Sequence, residues 1–502
     1  VMSKHKDPDL VASRAIEPTF FKAPHPSWSD VTPSPYQHAA VEYRIARRHC
    51  LIGDAPGLGK TAEAILYGNS LGAKYTLVVC PASLRLNWER EIRMWSTIPD
   101  VTTYPVMLSR DGINLNCNYV IISYDLLRNE AIMDALLDVD WDHLILDEAH
   151  ALKDPKGNKR TKAICAPDML PSAVERMTLL SGTILPNQPI ECYNAVRLMN
   201  WDAIDRMSVE NFRDYFYEKG GGWVRKPVLI EKDGQEFTRY ELVWDDEVRN
   251  QPVNLKELQV ALRKNVMVRR LKEEVLTQLP KKRWHVVPVG TSSAVRKVMN
   301  SKAWSTVEKL HQMDLDMFDR SIPVDGEVGT VMRQFGEAKA PLVADYIEDL
   351  LEGGVKKLLV GCWHVNTLEG EGVGSTGLSV FDYLVKRLSK YGLVKMDGTS
   401  SSWDKQHAVD RFQEDEEVRV ILGQLISIGE GWTLTAAQDA VLAEFYWVPG
   451  KNDQFLDRLH RRGQKGEYVI GHVPIVPGSI DERVIGTAVW KDQNIYQALD
   501  EE

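Results

Sequence analysis

The sequence predicts an α/β protein built as two parallel-sheet lobes with helical insertions. Two series of short aliphatic runs carry that reading, each run separated from the next by a helix-length segment. Between the series, from about Trp201 to Arg283, the pattern gives way to an aromatic, glycine-interrupted and charged region. Length agrees: 502 residues at roughly 150 per domain make about three units, or two large ones.

Residues 1–32 are polar and carry Pro8, Pro18, Pro24 and Pro26, so an extended arm is expected there. A first lobe is expected over 33–200, with strands at Leu51-Ile52, Thr76 to Cys80, Tyr119 to Ser123, Leu144 to Leu146 and Thr178 to Leu180. Residues 201–290 are expected as a helical or irregular insertion and linker, and 291–345 as a helical protrusion of the second lobe. That lobe occupies 346–480, with strands at Lys357 to Val360, Leu393 to Met396, Val418 to Leu422, Ala440 to Ala443 and Tyr468 to Ile470. A C-terminal helix is expected over 481–502. No short tandem repeat is present, so the duplication is one of fold.

Composition narrows the class further. With 44% hydrophobic and 26% charged residues of both signs, the chain reads as ordered and globular. No apolar run approaches the roughly 18 residues needed to cross a bilayer, and the first residues lack the apolar core of a signal peptide. No membrane partner is expected. The six cysteines never form a Cys-x-x-Cys pair, which argues against a zinc ribbon or a disulfide framework and for a reduced compartment. A cytoplasmic location is therefore expected, in a bacterium or a virus-infected cell, or a nuclear one if the host is eukaryotic. The net charge of −10 argues against nucleic acid over the whole surface, so any such contact must be local.

The sharpest chemical signal is Asp54-Ala55-Pro56-Gly57-Leu58-Gly59-Lys60-Thr61, set between an apolar strand and a helix. Phosphates need close backbone N–H groups, a helix N-terminus and a cation, which Gly57, Gly59 and Lys60 supply, while the Thr61 hydroxyl suits magnesium. The strand Leu144 to Leu146 then delivers Asp147-Glu148-Ala149-His150 at its end. There Asp147 can hold magnesium and Glu148 can polarise the water that attacks a γ-phosphate, the combination expected of ATP hydrolysis. Upstream, Gln37 opens an amphipathic helix and has an amide able to read adenine, although a lone glutamine is more often a surface residue. Downstream, Ser181-Gly182-Thr183 ends a further strand with two hydroxyls. Near the C-terminus, Gln454, Arg458 and Arg461 are spaced by four and three, so a helix would put them on one face.

Taken in order, these segments resemble the motifs of the superfamily-two helicase-like ATPases. Asp457 to Gln464 looks like the signature of the Swi/Snf branch, supported by Pro81 to Leu84 with Asn87-Trp88-Glu89, by Met267 to Val275 with Leu279 to Lys282, and by Asp397 to Ser400. Ala443 to Gly450 and Leu276 to Pro280 look most like the HepA-related annealing helicases. The loop departs from the pattern at Ala55-Pro56, the helix does so at Arg462, and Ser427 to Trp432 replaces the usual alanine- and glycine-rich turn.

The resemblance covers roughly 33–490 and implies two RecA-like lobes of the P-loop NTPase kind, with ATP and Mg²⁺ as ligands. It implies a monomeric, DNA-dependent motor acting on double-stranded or branched DNA. Carried over residue by residue, Lys60, Glu148, Arg458 and Arg461 would be catalytic, and Thr61 and Asp147 would hold the metal. Gln37, Asp54, Ala55, Pro56, Gly57, Leu58, Gly59, Lys60, Thr61, Gly431 and Gln454 would hold the nucleotide. Ser83, Asn87, Arg269, Arg270 and Thr399 would touch DNA. Two basic clusters, Arg263 to Arg283 and Lys153 to Lys162, could line a DNA track, although such runs are usually solvated faces. Trp88 and Trp95 lie near a DNA-contacting segment of the family, yet their spacing favours the core for at least one of them. The competing readings are a strand-separating RNA or single-strand helicase and an ATP-binding scaffold without turnover.

Overall fold

A computed structural model describes residues 7–154, 159–166, 169–182, 184–185, 188–220, 222–232, 235–245, 249–301, 304, 327–364, 378–428, 432–446 and 448–500. The chain divides into two compact units, and the division does not follow the linear order. The first holds Val1–Arg213, Asn254–Leu279 and the residues from Asn494 onward. The second holds Asp214–Val253 and Pro280–Gln493.

In the first unit, β1 (His49–Ile52), β2 (Thr76–Cys80), β3 (Thr103–Pro105), β4 (Tyr119–Ser123), β5 (His143–Asp147) and β6 (Arg176–Leu180) lie in one parallel sheet. Nearly every residue of β1, β2, β4, β5 and β6 is buried, as a sheet covered on both faces requires. Expected and observed strands coincide, apart from the short β3, whose half-buried residues leave no apolar run.

The region expected as a single insertion is divided between the units. It opens with helical turns at Trp201–Ile204 and Val209–Phe216, but the helical or irregular expectation is then corrected by β7 (Tyr217–Lys219), β8 (Gly222–Lys232), β9 (Gln235–Asp245) and β10 (Arg249–Pro252), which form two antiparallel pairs, β7 with β10 and β8 with β9. The chain then returns to the first unit, where β11 (Met267–Val268) pairs in parallel with β1. The completed seven-stranded order is β11-β1-β6-β5-β2-β4-β3. The arm expected over 1–32 is also corrected: Pro8–Ser13 is helical, with Pro at the start of the helix and the Asp7 carboxylate capping the Asp9 N–H. This helix docks rather than dangles, since Ser13 Oγ donates to the Met267 carbonyl at 2.8 Å.

In the second unit, β12 (Lys281–Pro288), β13 (Leu358–Cys362), β14 (Leu393–Met396), β15 (Val420–Gln424), β16 (Asp439–Leu442) and β17 (Tyr468–Ile475) form a parallel sheet in the order β12-β17-β16-β13-β15-β14. Alternation along the strands separates two cores. Leu359, Ile421, Ala440 and Leu442 pack on one face, while Leu358, Val360, Val420, Leu422 and Val441 pack on the other.

The boundary expected at residue 345 falls inside one helix, Glu327–Glu352. Its Val331 and Phe335 pack with Val295, Val298 and Val484, while its Ile347 and Leu351 pack against the sheet, so protrusion and lobe share a continuous element. The helix expected at the C-terminus is present as Ile480–Leu499. Among the described residues no helix is long and apolar enough to cross a membrane.

Candidate functional site

The loop after β1 is shaped for a phosphate. Gly57 and Gly59 have φ of 90° and 85°, a left-handed conformation that side chains with a Cβ rarely adopt. Gly59 caps the helix Lys60–Leu71, whose first turn therefore opens on the loop. A Cβ on Gly59 would lie 2.8 Å from Gln37 Nε2, so the glutamine approaches the loop as closely as glycine permits. Gln37 is buried, and its Oε1 also accepts from the Ser34 N–H at 2.8 Å, fixing the amide on its helix. Tyr36 donates its hydroxyl to the Leu58 carbonyl at 2.7 Å, which ties that helix to the loop.

Lys60 Nζ donates to the Asp54 carbonyl at 2.9 Å. Burial holds its ammonium below the ordinary lysine range, opposed by the carboxylates of Glu148, Asp54 and Asp147. Gly182 closes over it: a Cβ there would come within 2.9 Å of Pro56 and 3.2 Å of Lys60 Nζ. Ser181 accordingly sits beside β1, its N–H donating to the Ile52 carbonyl. Thr183 lies outside the described residues.

β5 ends at the two carboxylates. Burial, then the adjacent Glu148, pushes the Asp147 carboxyl up to about 7. Its Oδ1 accepts from the Glu148 N–H and its Oδ2 from the Trp88 indole N–H, each at 2.8 Å. Glu148 stands at φ 49°, a strained value for a residue other than glycine, and its Oε2 lies 3.1 Å from His150 Nδ1. The donor set fits magnesium bound with a triphosphate. Hydroxyl and carboxylate oxygens from Thr61 and Asp147 are hard ligands, and among the described residues no group of three His, Cys, Asp or Glu could hold a metal, so phosphate and water would complete its shell.

Two expected roles are corrected. Arg270 is fully buried, donating to the Asp54 carboxylate through Nε at 3.1 Å and pairing with Glu63 at 3.2 Å. It also donates to the Tyr36 carbonyl. A side chain with no exposed surface cannot touch DNA, and Asp54 correspondingly serves this ion pair instead of a phosphate. Arg269 is likewise buried, bonded to the Gly53 carbonyl at 2.7 Å and to both Asp500 carboxylate oxygens. The adjacent arginines thus brace the phosphate loop from behind. Charge does not mean exposure at these two positions, and only the short apolar pair Met267-Val268 ahead of them signals a strand that carries them inward.

Most of the first basic cluster is structural for the same reason. Arg263 binds Asp500, Lys272 is buried, Lys282 pairs with Asp453 and Asp457 at 3.2 and 3.1 Å, and the exposed Lys264 pairs with Asp7 at 2.9 Å, while Lys281 and Arg283 are exposed. In the second cluster, Lys153 pairs with Glu191 and Lys162 is exposed, while Lys156 lies outside the described residues. Trp88 and Trp95 are both core residues. Ser83 is half-buried and Asn87 is exposed on the helix Arg85–Trp95. In the second unit Thr399 is exposed, but its Oγ1 and N–H both donate to Asp397 Oδ1.

The helix expected through Gln454, Arg458 and Arg461 stops at Leu456 and continues as turns. The four-residue relation survives in another form: Arg458 Nε donates to the Gln454 carbonyl and Arg461 Nε to the Asp457 carbonyl. Arg461 also donates to Thr433 Oγ1 at 3.1 Å. Gly431 lies outside the described residues.

A phosphate loop after the first strand of a parallel sheet, with paired carboxylates at the end of another strand, defines a P-loop NTPase lobe. A family model described as the SNF2-related domain matches residues 36–334. The chain belongs to that family. Among curated proteins it is 28% identical to the bovine "DNA annealing helicase and endonuclease ZRANB3", over 91% of this chain and 40% of the relative. It is 30% identical to the Xenopus laevis "SWI/SNF-related matrix-associated actin-dependent regulator of chromatin subfamily A-like protein 1", over 93% of this chain and 45% of the relative. The chain thus spans less than half the length of these relatives. The solved SWI2/SNF2 ATPase core of Sulfolobus solfataricus in complex with dsDNA aligns with a TM-score of 0.42 and 17% identity, covering 96% of this chain and 100% of that one.

Proposed function

We propose that this chain is an ATP-hydrolysing motor that moves along double-stranded DNA and anneals or remodels branched DNA. The observation that carries the reading is the phosphate loop set against the Asp147-Glu148 pair in a chain of the SNF2-related family. Two relatives named above support the substrate, one being called a DNA annealing helicase and the other a chromatin regulator.

In this reading Lys60 and the first turn of its helix bind the β- and γ-phosphates, Thr61 and Asp147 hold magnesium, and Glu148 orients the attacking water. Bound magnesium supplies charge neutralisation at the phosphates. Gln37 reads the adenine. Gln454 and Gly431 belong to the nucleotide site by resemblance, and Arg458 and Arg461 are assigned the transition-state charge on the same basis. Ser83, Asn87 and Thr399 remain the proposed DNA contacts. The motor works as a monomer wherever its DNA lies, in bacterial or infected-cell cytoplasm or in a eukaryotic nucleus.

The test is ATP turnover measured with no nucleic acid, single-stranded DNA, duplex DNA, forked DNA and RNA. Duplex stimulation supports the motor, and greater stimulation by forks supports the annealing activity. Stimulation by RNA alone overturns the reading in favour of an RNA helicase, and nucleotide binding without turnover under every condition makes the chain a scaffold.

A further inference from the structure

Trp88 is 1% exposed and packs with Ile52, Ile121 and Ile145 in the core of the first sheet. An indole N–H is a donor only, and a buried one must find an acceptor. Elsewhere in the unit, Trp141 meets this need with the Leu136 carbonyl at 2.8 Å. Trp88 instead uses Asp147 Oδ2 at 2.8 Å, across 59 residues of sequence. Because Asp147 Oδ1 accepts from the Glu148 N–H, both oxygens are held and the carboxylate plane is fixed. The residue immediately before Trp88 on the helix is Asn87, which is exposed.

We propose that Trp88 is a positioning residue that sets the Asp147 carboxylate for magnesium and couples it to the outer face of the helix Arg85–Trp95. The proposal rests on the nucleotide-hydrolysis reading and deepens it. A ligand pressing on Asn87 displaces a short rigid helix, and the neighbouring side chain carries that displacement to the metal carboxylate through one buried hydrogen bond. A charge-assisted bond in a site of low dielectric is strong enough to transmit it. DNA bound at Asn87 would thereby tune the affinity for magnesium-nucleotide within the same lobe.

The experiment replaces Trp88 with its benzothienyl isostere, in which sulfur stands in place of N–H. Shape and burial are kept and only the donor is lost, and a thermal melt reports folding alongside. Binding of a fluorescent ATP analogue is titrated with Mg²⁺ and, separately, measured in EDTA, and duplex-stimulated turnover is then compared with basal turnover. The expected result is a roughly tenfold rise in the Mg²⁺ needed for half-maximal binding, with unchanged affinity in EDTA and a reduced stimulation ratio. An unchanged Mg²⁺ titration in the folded isostere variant overturns the proposal and leaves Trp88 a core residue. A wild-type chain whose nucleotide binding ignores Mg²⁺ fails at the earlier reading instead, and the two failures are distinguished by which protein shows them.

Discussion

In the proposed reading, hydrolysis turns on Glu148. Its strained φ of 49° presents the carboxylate beside His150 while Asp147 stays buried behind it. Glu148→Gln keeps the shape and hydrogen-bonding reach but removes the base, so nucleotide binding persists while turnover falls by about 10²- to 10⁴-fold; stopped-assay phosphate release and equilibrium binding measure the two separately. Arg270 carries stability instead of chemistry. Arg270→Met strands the buried carboxylates of Asp54 and Glu63, costing about 3–5 kcal/mol, whereas Arg270→Lys keeps one charge and costs less. Denaturant unfolding ranks the three proteins, and equal midpoints would contradict the brace. The loop and the carboxylate pair were legible in sequence because phosphate chemistry demands fixed residue types at short spacing. The partners of Trp88 and Arg270 were not, since a donor 59 residues away and a buried guanidinium leave no local pattern.

Among elements, most buried strands were readable as aliphatic runs, the two-residue β11 being too short to show one, and β3 and β12 escaped for a common cause. β3 and β12 lie at sheet edges, where one side of the strand faces water and the apolar run dissolves. The helix Pro8–Ser13 was hidden by prolines that favour its start, and the one expected through Arg461 ends early because the chain turns after Leu456. The end of the C-terminal helix has a role that its sequence does not announce: Asp500 clamps Arg263 and Arg269, and Arg269 in turn holds the Gly53 carbonyl at the root of the phosphate loop. Asp500→Asn retains hydrogen bonding but leaves two buried guanidiniums without their counter-charge. The expected outcome is a lower unfolding midpoint together with several-fold weaker nucleotide binding, by a fluorescent analogue, although Asp500 belongs to no motif of the site. Weaker stability with unchanged nucleotide affinity would confine the clamp to folding.

At the scale of the whole molecule, the charge of −10 and the proposed grip on DNA are reconciled by where the basic side chains go. Buried ion pairs take Arg263, Arg269 and Arg270, and Lys282 is held by two aspartates, so these four add nothing to a DNA-facing field. Of the rest of the cluster, Lys264 is exposed but paired with Asp7, and Lys281 and Arg283 are exposed on the edge strand β12, sharing one face with His285 that follows. Each neutralised phosphate contributes about 0.9 to the slope of log affinity against log salt, so a grip made by few cations has a shallow slope. Two such contacts should lower DNA affinity by only about tenfold between about 50 and 200 mM salt. The double substitution of Lys281→Ala and Arg283→Ala should flatten the slope by about 1.8 while leaving nucleotide binding intact. Fluorescence anisotropy of a labelled duplex over that salt series measures the slope directly, and a double variant with the wild-type slope would move the DNA track away from β12.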